Sequence, residues 1–503
     1  MQICTVCHHE NTDNRYFCQK CGTFLKSAEW RDYFPVYAKS EAKVRRIAAN
    51  LAQHPHETIT WNAAVDTYAA KAERLRSLIH LDELNDETLT SVMKQLDHFI
   101  RDCRYPEFQI AFVGTIKTGK STLINALLDH SYASTAVTPE TASLTKFRSS
   151  KQDYVQIKFY TGKEWDMLWA SASSAADTFK REYDELKADS VKELWLGHET
   201  IRKTGTELKN GCIEDELKQW SSSQCAEHYF VKEIEVGISS LKGIPQQVVF
   251  VDTPGLSDPV AYRSDITKNY IRRANAVFVC IDSQRIARQE LDTISAVFSF
   301  IARKEIVYVI ATHWDNLNDP VKDWNEQKEY FTDQLSGLGF FGSKQLAQKN
   351  IIHSSAFIYN LCRNFNGDRF SKALTVASAK LELESADQES LLVELKKLSN
   401  IQTIKNIIEK QLVPQHVMIL QKSLEKEYMD IRYKLKVFAE TRRSKQEELL
   451  AAMDSSGTEL AEQLANAKKK EQIIRNNLGR LYSLLTQIDE NTQKRKEHLF
   501  KDM

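Results

Sequence analysis

Short apolar runs and long amphipathic stretches alternate along this chain, and the two patterns predict different elements. Gln109, Ile110, Ala111, Phe112 and Val113 form a run of strand length, as do Val248–Val251, Ala276–Ile281 and Glu305–Ala311. Short apolar runs bounded by turn residues suit strands buried on both faces, so they predict the centre of a mainly parallel sheet. Directly after the first run, Leu123, Ile124, Asn125, Ala126, Leu127 and Leu128 read as a helix.

Elsewhere apolar residues recur every three or four positions, the helical period. Trp61, Val65, Tyr68, Ala72, Leu75 and Ile79 mark one helix, and Leu89, Val92, Leu96, Phe99 and Cys103 a second, parted by the polar turn Asn85-Asp86-Glu87-Thr88. Ile401, Ile404, Ile407, Ile408 and Leu412 mark another, expected to stop near Pro414. From His416 onward Gly and Pro almost vanish. Val417, Leu420, Leu424, Tyr428, Ile431, Leu435 and Phe438 form one seam; after Asp454-Ser-Ser-Gly457, Leu460, Leu464, Ile474, Leu478, Leu481, Leu485 and Ile488 form another. An antiparallel hairpin that bundles with the early helices is the economical reading. The expected organisation is a small metal-stapled unit (1–25), a helical segment of a neck bundle (26–105), an α/β domain (106–414) and a helical arm (415–503). Trp165, Leu168, Trp169, Phe179, Leu194, Trp195 and Leu196 predict a helical insertion at about 162–241.

Composition narrows the function. At 503 residues with 42% hydrophobic content, the chain can bury several cores. Lys plus Arg equals Asp plus Glu at 68 each, so no global charge favours nucleic acid. Arg15 and Lys20 are few basic residues for a nucleic-acid role near the N-terminus. No stretch has the length and apolarity of a signal peptide or a membrane span. Cys103, Cys212, Cys225, Cys280 and Cys362 are scattered without pairing logic, as reduced thiols are. A cytoplasmic location follows, with peripheral contact at the inner face of a membrane open: Lys468–Lys470 and Lys494–Lys496 offer charge to anionic lipid, though such runs are commonly a helix's solvated face.

The chemistry centres on Gly114-Thr-Ile-Lys117-Thr118-Gly119-Lys120-Ser121-Thr122, between the first predicted strand and its helix. In that context the spacing makes a phosphate cradle, whose N–H groups and helix N-terminus face one anion. Lys120 would reach the β- and γ-phosphates, and Ser121 would hold Mg²⁺. Downstream, Ala136–Thr145 supplies a threonine for Mg²⁺ and the γ-phosphate: Thr141 first, Thr138 second, Thr145 third. Asp252-Thr-Pro-Gly255 ends an apolar strand, placing Asp252 to hold Mg²⁺ through water and the Gly255 N–H to meet the γ-phosphate. Thr312-His313-Trp314-Asp315 ends another; the Asp315 carboxylate would accept from the N1–H and 2-amino group of guanine together, a donor pair adenine lacks. Ser354-Ser355-Ala356 reads as the loop that meets the base from the other side.

At the N-terminus, Cys4-x-x-Cys7 and Cys18-x-x-Cys21 form two knuckles at the spacing of a tetrahedral Zn²⁺ site. A redox pair or two disulfides are the competing readings. The stretch Ile3–Leu25 resembles the small zinc ribbons at the N-termini of many bacterial proteins. Four sulfur ligands leave no position for substrate, so a docking or structural role is expected.

The order G-x-x-x-x-G-K-S, Thr, D-x-x-G, T-x-x-D, S-A resembles the dynamin superfamily of large GTPases. Lys120–Leu128, followed by Thr-Pro-Glu-Thr-Ala, is especially like its bacterial members, and the resemblance covers roughly Glu107 to Val413. It implies a P-loop GTPase fold flanked by a helical neck, with GTP and Mg²⁺ as cofactors. It also implies hydrolysis quickened when G domains pair across the nucleotide, as a homodimer, a larger homo-oligomer, or with a second dynamin-like subunit. Membrane remodelling or assembly with a partner is the implied work; the alternative is an interaction module switched by nucleotide. The chain departs from the pattern at three positions. Ile116 stands where many dynamins have Gln and Lys117 where they have Ser, while His313 replaces the usual Lys. Some relatives carry an inward-turning Arg at the Lys117 position, a role Lys117 would share in cis.

Overall fold

The computed structural model describes residues 2–5, 7–11, 20, 56–80, 87–115, 117–134, 143–172, 177–222, 224–256, 261–301, 303–366, 371–383, 387–453, 465–474 and 476. It divides into two compact units. One comprises residues 1–58, 67–100 and 425–503, the other 59–66 and 101–424.

In the first unit, β1 (Gln2–Ile3) and β2 (Glu10–Asn11) form a small antiparallel hairpin. Helices α1 (Ala63–His80), α2 (Glu87–Arg104) and the long C-terminal helix (His416–Met453) each contribute a stretch to this unit. Their contacts follow the helical period of the sequence. Leu89, Val92, Leu96 and Phe99 are buried together with Tyr428 and Ile431. Tyr68 stacks on Tyr428 with ring centroids 5.1 Å apart and donates to Glu425 at 3.1 Å. Arg76 pairs with Asp97 at 2.5 Å and Lys434 donates to Gln95 at 2.9 Å. The seam read along the last helix is buried at Leu420, Leu424, Tyr428 and Ile431, whereas Val417 is exposed. Of the expected turn, Asn85 and Asp86 lie outside the described residues, while Glu87 and Thr88 open α2; in the second seam Leu460, Leu464 and the positions from Leu478 onward lie outside them too.

The second unit is built on one nine-stranded mixed sheet. Its strands are β3 (Phe108–Gly114), β4 (Leu144–Ser149), β5 (Tyr154–Phe159), β6 (Ile201–Thr204), β7 (Val231–Ile238), β8 (Val248–Asp252), β9 (Ala276–Asp282), β10 (Val307–Thr312) and β11 (Ile351–His353), in the order β11-β10-β9-β3-β8-β4-β7-β5-β6. From β11 to β8 every pairing is parallel; β4 pairs antiparallel with β8, and β5 antiparallel with β7 and β6. Alternate residues of β3 serve different cores. Phe108, Ile110 and Phe112 pack with Leu123, Ile124 and Leu127 on one face, while Ala111 and Val113 pack with Val277, Val279 and Ile294 on the other. Central strands covered on both sides are why these runs are apolar throughout.

The helices of this unit are α3 (Lys120–Leu128), α4 (Gly162–Ser171), α5 (Asp177–Glu185), α6 (Asp189–Trp195), α7 (Ile213–Ser221), α8 (Ala261–Arg273), α9 (Arg288–Phe300), α10 (Pro320–Leu335), α11 (Lys344–Asn350), α12 (Ala356–Arg363), α13 (Ser371–Lys380), α14 (Gln388–Leu398) and α15 (Ile401–Ile407). Two features differ from the sequence reading. The insertion is not helical throughout: it holds α4–α7 but also β6 and β7, which extend the main sheet. Its tryptophans are core residues, with Trp165 against Phe230 at 5.0 Å and Trp195 against Trp220 at 5.0 Å. The chain also does not leave helical geometry at Pro414. After α15 a π-helical turn (Ile408–Leu412) and a 3-10 turn (Val413–Gln415) lead into the long helix, α16. Proline is tolerated there because it occupies the first turn, where its missing N–H has no partner to lose.

Behind β4 lies a buried charge network. Lys146 pairs with Glu107 at 3.0 Å and Glu233 at 3.5 Å; Arg148 pairs with Glu107 and with Glu235 at 3.2 Å; Lys158 reaches Glu233 at 2.6 Å. Tyr270 and Tyr154 donate to Glu233 and Glu235 at 2.8 and 2.7 Å. Burial alone would raise the Glu107 carboxyl, but Lys146 and Arg148 beside it bring its pKa down to about 2.

Candidate functional site

The phosphate-loop residues gather at the carboxyl ends of the parallel strands. β3 ends at Gly114 and α3 begins at Lys120; between them Lys117 and Gly119 take left-handed φ of 67° and 70°. The loop is held tightly. Thr118 donates its hydroxyl to the Thr115 carbonyl at 2.8 Å. A Cβ on Gly114 would lie 2.5 Å from Thr118 Oγ1, and one on Gly119 would lie 2.9 Å from His313 Nε2. Glycine is therefore required at both positions by close approach, and at Gly119 by backbone angle as well.

Lys120 is buried, and its ammonium donates to the Asp252 carboxylate and the Thr253 carbonyl. Ser121 Oγ lies 3.4 Å from the other Asp252 oxygen. Three residues predicted from two separate motifs thus meet at one point. The turn after Asp252 is fastened from both sides: Thr253 donates to Phe112 O at 2.8 Å and Thr267 to Pro254 O at 3.0 Å. These bonds bring Gly255 beside the loop, where a Cβ on it would be 3.9 Å from Gly114 O. Thr122 extends the first turn of α3, and its carbonyl accepts from Asn360 of α12 at 3.2 Å.

On the base side, the Thr312 hydroxyl sits 2.7 Å from the Thr118 carbonyl and 2.8 Å from that of Ile281, tying β10 to the phosphate loop. His313, at φ 55°, lies 3.2 Å through Nδ1 from Asp282 Oδ2. Its hydrogen bond to Asp282 raises the imidazole pKa, overcoming burial. The Trp314 N–H donates to Ser354 O at 3.3 Å, bringing the two predicted base loops together. Ser355 caps α12, its hydroxyl accepting from Ile358 N at 3.1 Å, and Ala356 opens that helix. Asp315 Oδ1 is buried with no hydrogen-bond partner. A buried carboxylate oxygen left without a donor costs about 1–3 kcal/mol or more, which a ligand's N–H would recover.

Sequence reasoning missed Asp282 as the partner of His313, although it stands at the end of a predicted strand. Among the threonines, Thr145 lies in β4 opposite Asp252 in the ladder; Thr138, Thr141 and the hydrophobic loop residue Ile116 fall outside the described residues. The cradle, the Ser121–Asp252 oxygens and the unpartnered Asp315 fit a nucleoside triphosphate with Mg²⁺. At the N-terminus, Cys4 and Cys7 flank a tight turn in which His8 N donates to Cys4 O at 2.9 Å and Cys4 N to His9 O at 3.0 Å. Cys18 and Cys21 lie outside the described residues. Among the described residues no group of three or more His, Cys, Asp or Glu is arranged to hold a metal ion. No helix among them is long and apolar enough to cross a membrane.

The chain is 27% identical over 347 residues to "Dynamin-like protein 1" of Campylobacter jejuni, covering 65% of this chain and 45% of that protein. It is 26% identical over 223 residues to "Bacterial dynamin-like protein" of Nostoc punctiforme, covering 44% of this chain and 27% of that protein. It therefore spans less than half the length of the curated relatives it matches. Among solved structures, one described as an oligomerised bacterial dynamin pair for long-range sensing and tethering of membranes aligns over 90% of this chain and 69% of its own. The identity there is 21% and the TM-score 0.45. Residues 110–314, which run from β3 through Trp314 and so contain the phosphate loop, Asp252 and Thr312, match the Dynamin family.

Proposed function

We propose that this chain is a dynamin-like GTPase: it binds GTP with Mg²⁺, hydrolyses it, and passes the nucleotide state to its helical arm. The observation that carries the reading is Asp315, whose buried, unpartnered carboxylate oxygen stands next to His313, which itself packs against the phosphate loop at Gly119. A phosphate cradle alone accepts any nucleoside triphosphate. The carboxylate adds a preference for a base edge with two adjacent donors, which guanine has.

Gly114, Lys117, Thr118, Gly119, Lys120, Ser121 and Thr122 would form the phosphate site. Ser121, Asp252 and a switch threonine, Thr141 before Thr138, would hold Mg²⁺, whose chemistry is to neutralise charge on the phosphate oxygens. Thr312, His313, Asp315, Ser355 and Ala356 would form the base site. Lys117, exposed and held left-handed, would turn toward the γ-phosphate and offset the charge that develops as the bond breaks. Pairing of G domains, between copies or with a second dynamin-like subunit, would complete the catalytic arrangement. The work we propose for it is at a membrane surface, by peripheral contact. The four cysteines Cys4, Cys7, Cys18 and Cys21 would bind Zn²⁺ as a docking knob.

Calorimetry on the full chain with Mg²⁺ tests the first step. GTP is expected to bind at least about tenfold more tightly than ATP, and Asp315→Asn to weaken GTP by roughly 10- to 100-fold, the cost of leaving donors unmatched. Equal affinities, or no heat with either nucleotide, would overturn the reading. A second reading, a nucleotide-switched interaction module with little hydrolysis, is favoured by the apolar Ile116 at a position where dynamins carry a polar residue. Turnover per subunit that rises with protein concentration separates the first from the second.

A further inference from the structure

The edge strand β11 borders a cavity that no part of the nucleotide site uses. We propose that it is a second anion site, taking a compact phosphate-bearing group through Lys328, Lys349 and His353. Its volume is about 340 Å³, and its walls include Trp324, Lys328, Lys349, His353, Thr403 and Ile407. The cavity opens to solvent and holds many water-sized positions, more than a single phosphate fills.

Charge decides the ligand class. None of the lining residues is acidic. Among the described residues neither Lys328 nor Lys349 forms an ion pair. Burial holds the Lys328 pKa low, and burial followed by the charge of Lys328 pushes His353 down to about 4. No carboxylate acts on either group. Lys328 is half-buried without a counter-charge, which is costly, and Lys349 stands exposed at the rim of the same cavity; an anion held by both removes that cost. The receptor is also rigid. The His353 ring is gripped between Trp314 and Trp324, with ring centroids 5.1 and 5.0 Å away. Asn400 donates to the His353 carbonyl at 2.9 Å and Thr403 to Asn400 Oδ1 at 2.5 Å, fixing the rim. Two point charges beside a fixed imidazole suit a multiply charged phosphate better than a single carboxylate.

The test follows the His353 ring by NMR while inorganic pyrophosphate is added to the full chain. Three proteins are compared: wild type, Lys120→Ala, and Lys328→Gln with Lys349→Gln. Saturable shifts of His353 and a rise in its pKa of about one, a tenfold coupling, are expected in wild type and in Lys120→Ala. In the double variant, binding should weaken at least about tenfold. The doubly substituted Lys328→Arg and Lys349→Arg protein should bind as wild type does, which separates charge from misfolding. A wild type without response, or a double variant that responds equally, overturns the proposal; so does a response lost in Lys120→Ala alone, since it then belongs to the phosphate loop. Co-sedimentation with phosphatidylglycerol and phosphatidylcholine vesicles distinguishes the sources. Binding to the anionic vesicles that falls in the Gln variant assigns a lipid headgroup. Vesicle binding unchanged while the pyrophosphate response persists assigns a free phosphate compound.

Discussion

Lys117 and Asp315 show how single positions in this site depart from ordinary surface residues. Lys117 is exposed yet held at a φ of 67°, a conformation a lysine adopts only when its surroundings impose it. Replacing it by alanine removes charge from the loop without touching the Gly114 and Gly119 approaches. The expected outcome is turnover lower by roughly 10- to 100-fold with nucleotide affinity nearly intact, read from single-turnover kinetics beside calorimetry. Wild-type turnover in Lys117→Ala would remove the role. At this scale most of the candidate site was legible. Glycine spacing, Lys120, Asp252 and Thr312 each carry a chemical requirement within a few neighbouring positions. Asp282 was not legible, because its importance comes from His313, and the two are brought together by the pairing of β9 with β10. Nothing local in the sequence joins them.

At the scale of elements, the all-parallel half of the sheet was readable and the mixed half was not. β3, β8, β9 and β10 are apolar throughout, whereas β7 interleaves Lys232, Glu233 and Glu235 with Ile234, Val236 and Ile238. That period of two is itself a strand signal, submerged among the tryptophans that announced helices. The charged half of β7 is explained by the third dimension: Glu233 and Glu235 face the cations of β4. On its other side, toward β5, β7 holds a second dependence. Gly237 lies opposite Tyr154 of β5, and a Cβ there would come within 2.0 to 2.7 Å of the ring. Gly237→Ala must displace that ring, which is clamped by its bond to Glu235 and by Arg202 at 3.7 Å. A loss of about 1–3 kcal/mol in chemical denaturation is expected, as for overpacking. The smaller side chain in Gly237→Ala with Tyr154→Ala should recover part of it; a further additive loss would show that the ring is not the obstacle.

Across the whole molecule, buried titratable groups set an acid limit. His228 and His353 are both held near a pKa of about 4, chiefly by burial. The native state therefore resists protons that the unfolded chain takes up below its ordinary histidine value of about 6.5. Stability is full above that pH and falls from about 6.5 toward about 4. Glu107 acts lower, since its pKa of about 2 makes its contribution present above about 4.5 and progressively lost between about 4.5 and about 2. Thermal melts from pH 8 down should show a Tm that declines from near pH 6.5 and steepens below about 4.5. His228→Asn should flatten the upper limb, and an unchanged slope there would exclude this histidine as a cause. The division into two units was only partly readable. The expected bundling of the C-terminal seam with the early helices agrees with residues 67–100 and 425–503 sharing one unit, whereas nothing in the seams marks 59–66 and 101–105 as part of the other.

The bond from the Lys120 ammonium to the Asp252 carboxylate would act as an internal substitute for both ligands proposed for this site. A phosphate tail must take the lysine away from the aspartate, and the aspartate so released is then best satisfied by a divalent cation. On the proposed reading, metal and nucleotide would strengthen one another through a trade of counter-ions. Thermodynamic reciprocity requires that the factor by which Mg²⁺ tightens the nucleotide equal the factor by which the nucleotide tightens Mg²⁺.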